Sequence, residues 1–217
     1  MDLRLHRQGR FRRWLGVKLG GDEALGDRAW RRILHVLGAA VLVYYLLPDD
    51  FFVVAPKEYV LLAALLAMFV LEALRHAVGL QLPTIRPYEA HRVASFAFYA
   101  LALVLAVLLF PRPIGAAVVL GTAVVDPLAG ELRRRGGSTL TTVLTPFAVY
   151  AVLAFAGLAV VGDWPIAISA ALALVAAPIA VAAERPKWPW IDDDLVMTLA
   201  PAVFLYAVGV WGLGLPR

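Results

Sequence analysis

Residues 123–138 read AVVDPLAGELRRRGGS, from Ala123 to Ser138, and the fold turns on how they are understood. An apolar run that looks like a membrane helix carries Asp126 and Pro127 near its end, then Glu131, three arginines and two glycines. A carboxylate within a membrane helix costs about 2.5–3.5 kcal/mol on insertion scales, so such residues are rare and usually functional. Asp126 is therefore the residue around which other polar groups are expected to gather.

The surrounding composition supports the membrane reading. Of the 217 residues 62% are hydrophobic and 17% charged, with a mean hydropathy of +0.79, whereas soluble domains are about 45–50% apolar. At this length the chain makes one compact bundle, since each crossing takes about 20 residues. Residues 1–32 form a basic N-terminal segment and 33–217 a single transmembrane helical domain. There are no cysteines, which excludes disulfides, thiolate nucleophiles and Cys-based zinc or iron–sulfur sites.

The first 32 residues hold nine Lys/Arg against four Asp/Glu and no apolar core, so they do not read as a secretory signal. Phe11, Trp14 and Leu15 stand at helical spacing among Arg10, Arg12 and Arg13. This pattern suits either a helix lying in the headgroup layer or a basic tail that sets topology. Seven apolar segments follow: Ile33–Leu47, Tyr59–Leu74, Val93–Phe110, Ile114–Leu128, Leu140–Val161, Trp164–Ala183 and Leu195–Leu213. The first is the least secure, which leaves six crossings as the alternative. Pro146, Pro165, Pro178 and Pro201 mark candidate kinks.

With seven spans, seventeen Lys/Arg fall on the side of the N-terminus and only Lys57, Arg112 and Arg217 on the other. The positive-inside rule then predicts a multi-pass protein of the cell membrane with its N-terminus in the cytoplasm. That rule makes no demand on acids, yet Glu72, Glu89, Asp126, Glu131, Glu184 and Asp192 to Asp194 map to the same side. Both signs of charge converge on one face, which predicts an active site there.

Three clusters carry candidate chemistry. Asp126, with Ala129 and Gly130 on its helical face, leaves room for a ligand; an interhelical ion pair is the structural alternative. Arg133, Arg134 and Arg135 offer forked donors, and Gly136, Gly137 and Ser138 let backbone approach an anion, so the run suits nucleotide phosphates. Asp192 to Asp194 repel one another unless a cation such as Mg²⁺, held by one or two carboxylates plus phosphates, neutralises them. A further set, Arg32, His35, Glu72, Arg75, Glu89 and Arg92, either shapes the inner site or forms local ion pairs at i, i+3. No HExxH, Walker-type loop, GxSxG or GxGxxG occurs, and no nucleic-acid-binding module is evident.

The motifs RRILHVLG (31–38), LEALRH (71–76), RPYEAHRVASFAFY (86–99), FPRPIGAAVVLGTAVVDPLAG (110–130) and WIDDDLVM (190–197) resemble the dolichol kinase and phytol kinase family of membrane lipid-alcohol kinases. Asp126 and Ala129 match the family's Gly-Asp-x-x-Ala element. Val125 stands where the family has glycine, the following loop lacks the family's lysine, and Asp193-Asp194-Leu195-Val196 replaces an Asp-Asn-x-Thr-like element. The resemblance implies phosphoryl transfer from CTP or another nucleotide to an isoprenoid alcohol in the bilayer, with Mg²⁺. It implies catalytic or metal-binding roles for Asp126, Asp193 and Asp194, with Glu131 in support. A phospholipid cytidylyltransferase and a non-enzymatic transporter or scaffold remain as alternatives, and the oligomeric state is open.

Overall fold

A computed structural model describes residues 23–49, 55–79, 89, 92–184 and 191–216, with side chains from residue 29 onward. Of the basic N-terminal segment, read from sequence as residues 1–32, residues 1–22 lie outside these. All regular structure among the described residues is helical. In chain order the helices are α1 (Glu23–Leu37), α2 (Lys57–Val78), α3 (Ser95–Leu109), α4 (Arg112–Arg134), α5 (Thr139–Ala156), α6 (Ile166–Ala183) and α7 (Asp193–Leu205). The boundary expected at residue 32 falls inside α1, so the segment before it is in part continuous with the bundle.

Six helical stretches are long and apolar enough to cross a membrane, and α3, with 15 residues, falls short. The first span, read from sequence as the weakest, qualifies because α1 runs on through a tighter 3-10 stretch, Gly38–Leu46. The protein is thus a multi-helical membrane bundle. Helix α5 widens into a π-type turn at Gly157–Val161, and α7 does so at Tyr206–Gly212.

The helix ends obey local chemistry. Pro111 precedes α4 and Pro113 sits in its first turn, where a missing N–H costs nothing. Ser138 caps α5 by accepting from the Thr141 amide at 3.1 Å, and Asp192 caps α7 by accepting from the Asp194 amide at 3.4 Å. Gly79, with φ of +63°, closes α2 in the left-handed conformation. Pro127 does not end α4, which continues to Arg134. Asp126 is therefore about 12 Å, eight residues, from the helix end, deeper than a helix ending at Glu131 places it.

The core is centred on α4. Its most apolar window is 67% buried, against 11% for α2, so α4 is the axis and α2 presents most of its surface to lipid. In a bilayer, lipid tails are as apolar as leucine, and tight packing of small residues drives association instead. Gly157 of the α5 extension stands so close to α4 that a Cβ there would lie 2.5 Å from the backbone of Ala117. Gly121 likewise admits the Tyr150 ring, which is fully buried.

A candidate reaction site at the charged end of the bundle

Three helices bring His35, Asp126 and Asp194 together. The His35 Nε2 lies 3.4 Å from an Asp194 oxygen and 3.5 Å from an Asp126 oxygen. One ligand atom from each residue lies within 4.8 Å of the other two. His35 is 9% exposed and Asp194 6%, whereas the Asp126 side chain is 27% exposed and opens the cluster outward.

The supports of the cluster are local. The Tyr99 ring stacks on His35 with centroids 3.8 Å apart and planes 16° from parallel, and its hydroxyl donates to the His35 carbonyl at 2.7 Å. That stacking needs Gly38, since a Cβ there would meet the Tyr99 ring at 2.6 Å. On the opposite side, the Thr198 hydroxyl lies 2.8 Å from the Asp194 carbonyl oxygen and 3.1 Å from the Thr122 hydroxyl. This ties the first turn of α7 to α4. Asp194 also sits in the first turn of α7, where the helix dipole favours a carboxylate.

Two further layers of charge surround this centre. Glu131, 15% exposed at its side chain, gathers Arg32, Arg134 and Arg135, while Arg133 turns away to Glu184. Three guanidinium groups on one carboxylate leave two positive charges in excess, an environment suited to an anion. The amides of Gly136 and Gly137 do not face an anion as the sequence suggested. They donate, both at 3.1 Å, to the carbonyls of Arg133 and Leu132, closing α4. Gly136 takes φ of +71° to do so. Ser138 is occupied as the α5 cap.

Glu72 and Arg75 realise the i, i+3 pairing, with two contacts of 2.7 Å in a nearly inaccessible setting. Arg75 also donates to the carbonyls of Glu89 at 3.2 Å and Arg92 at 2.9 Å, and Glu72 accepts from the Ala94 amide at 2.7 Å. The pair therefore secures the chain entering α3. From there Arg92 reaches Asp192 at 3.1 Å, and the Ser95 hydroxyl stands between Glu89, at 2.7 Å, and Asp192, at 2.8 Å. Burial, reinforced by the charge of Asp193, raises the Asp192 carboxyl above the ordinary range.

The expected set thus divides. Asp126 and Asp194 join His35, Asp193 begins α7 next to them, and Glu131 organises arginines. Glu72, Arg75, Glu89 and Arg92 form a supporting layer. Sequence reasoning gave no role to Tyr99, Ser95, Thr122 and Thr198. The available signal was weak: Thr198 follows Asp194 by four residues, on the same helical face. No protein family, no curated protein and no solved structure matches the chain.

Proposed function

We propose that this protein is a membrane phosphotransferase that moves the terminal phosphoryl group of a nucleotide, CTP foremost, to the hydroxyl of an isoprenoid-like lipid alcohol. The observation that carries this reading is the convergence of Asp126, Asp194 and His35 from three helices at one end of an apolar bundle. A long-chain alcohol leaves the bilayer only at about 0.8 kcal/mol per CH₂, so the charged donor must come to it at the membrane boundary.

The residues fit a divalent cation, because two carboxylates converge beside a buried imidazole nitrogen that has no hydrogen-bond partner. Asp126 and Asp194 would hold it. When bound, such an ion neutralises charge on the transferring phosphoryl oxygens. The chain's own residues supply position and proton transfer. Arg32, Arg134 and Arg135 hold the phosphates while exchanging part of their pairing with Glu131. The lipid oxygen bonds to the terminal phosphorus as the bond to the bridging oxygen breaks, and the nucleoside diphosphate departs. The hydroxyl proton passes to a carboxylate of the cluster, of which Asp126 is the more open. The cytoplasmic placement of this end, inferred from the distribution of Lys and Arg, belongs to the same proposal.

The resemblance to dolichol and phytol kinases points the same way. Against a transport path, α4 between Ile114 and Val125 carries no charged residue, so charge enters this helix from one end alone, whereas a transport path opens to both sides. The test is incubation of purified protein with labelled CTP or ATP and a panel of polyprenols, phytol and diacylglycerol. Lipid phosphate together with CDP supports the kinase; pyrophosphate release identifies a cytidylyltransferase instead and overturns it.

A further inference from the structure

We infer that His35 is a metal ligand, and that His35, Asp126 and Asp194 form a mixed nitrogen–oxygen centre for a first-row transition ion, with Mn²⁺ as its natural probe. The inference deepens the phosphotransferase reading by naming the ion class, but its geometry stands apart from the reaction.

The Nε2 atom is the decisive feature. It is buried, has no hydrogen-bond partner, and is aimed between two carboxylates at 3.4 and 3.5 Å. A charge-assisted N–H···O contact closes to about 2.7–2.9 Å, so these separations are poor for direct pairing. They are, however, close to the spacing of two donors sharing one ion: bonds of about 2.1–2.2 Å put neighbouring ligand atoms roughly 3.0–3.5 Å apart over octahedral to tetrahedral angles. One oxygen from each carboxylate suffices.

The ring is also held as a ligand must be. Tyr99 fixes its plane by stacking and fixes its backbone through the His35 carbonyl. A ligand lone pair has to point at one place, and this restraint supplies that orientation. The donor set then narrows the ion class. Mg²⁺ favours oxygen and retains its waters, while imidazole with carboxylates suits Mn²⁺, Fe²⁺, Co²⁺ and Zn²⁺.

The experiment uses the full chain, purified in detergent and stripped by chelator, titrated with Mn²⁺ and followed by electron paramagnetic resonance. The expected result is one tightly bound Mn²⁺ per chain, with magnetic coupling to one imidazole nitrogen, and excess Mg²⁺ displacing it only weakly. In His35→Asn the nitrogen coupling disappears and affinity falls at least tenfold. In Asp194→Asn affinity falls while the coupling of any residual Mn²⁺ persists. No stoichiometric Mn²⁺ in the folded protein, or Mn²⁺ bound without nitrogen coupling, overturns the inference. The coupling is read on the unmutated chain, so a poorly folding variant does not remove the test. Mn²⁺ bound as described in a protein that phosphorylates no lipid leaves the centre standing and refutes only the kinase reading.

Discussion

At one end of the bundle Glu72, Glu184, Asp192 and Asp194 are all below 7% exposed; the last three pair with segments distant in sequence, and Glu72, paired with Arg75 inside α2, also accepts from the Ala94 amide. At the other end the ionic contacts among the described residues centre on Lys57, which meets an Asp49 side chain that is 93% exposed, and Tyr44, which donates to Glu58 at 2.8 Å. The first end buries its acids; at the second the Asp49 carboxylate stands in solvent, while the Lys57 ammonium, its side chain 12% exposed, is held by the Leu47 carbonyl at 2.8 Å and the Tyr44 ring. Topology alone asks only for lysines and arginines near a boundary. It does not ask for acids to be brought inside, and that excess is what the site explains.

The contrast can be broken from either end. The largest stability effect is expected from Arg75→Met, which strands the Glu72 carboxylate in a buried position: about 3–5 kcal/mol in unfolding experiments in detergent. The double variant Glu72→Gln, Arg75→Met should recover much of that loss. Recovery would mean the pair stabilises through mutual neutralisation rather than through the chain entry it holds.

A smaller loss belongs to the axis joining the two ends. Gly157→Ala forces a methyl onto the Ala117 backbone, which cannot yield as a side chain would, and about 1–3 kcal/mol is expected. Gly130→Ala, with nothing within 4 Å of the added carbon, should be neutral or gain up to about 1 kcal/mol from helix propensity. Equal behaviour of the two glycines would contradict the tight approach of α4 and the α5 extension.

Least of all is expected from Asp49→Asn, below about 1 kcal/mol, because that carboxylate is open to solvent. A loss as large as that of Arg75→Met would erase the distinction between the ends.

Much of this was legible in the sequence. Apolar length marked α2 to α7 and the stretch that continues α1, and the alternation of Lys and Arg sorted their ends. It placed Arg92 with Asp192, Arg133 with Glu184 and Arg32 with Glu131 at one end before any geometry was available. Continuation of α4 past Pro127 was less accessible, because proline weakens a helix locally while neighbouring helices decide whether it persists. The role of Gly136 and Gly137 was also hidden: glycines after arginines suit an anion loop and a helix stop equally well. His35 was visible as one of the polar residues at the entrance to the first span, but its place between Asp126 and Asp194 was not, because sequence separation cannot convey that distance. Thr122 and Thr198 sit in apolar runs and carry no charge to draw notice.

The claim that chemistry belongs to the buried, charged end is tested most directly by comparing Asp126→Asn with Lys57→Gln in the labelled-nucleotide assay with polyprenol. Lipid phosphate is expected to fall by roughly 100-fold or more in the first, since even residues supporting a metal ligand are worth about 10–100-fold, and to stay unchanged in the second. Undiminished lipid phosphate in Asp126→Asn would contradict the account.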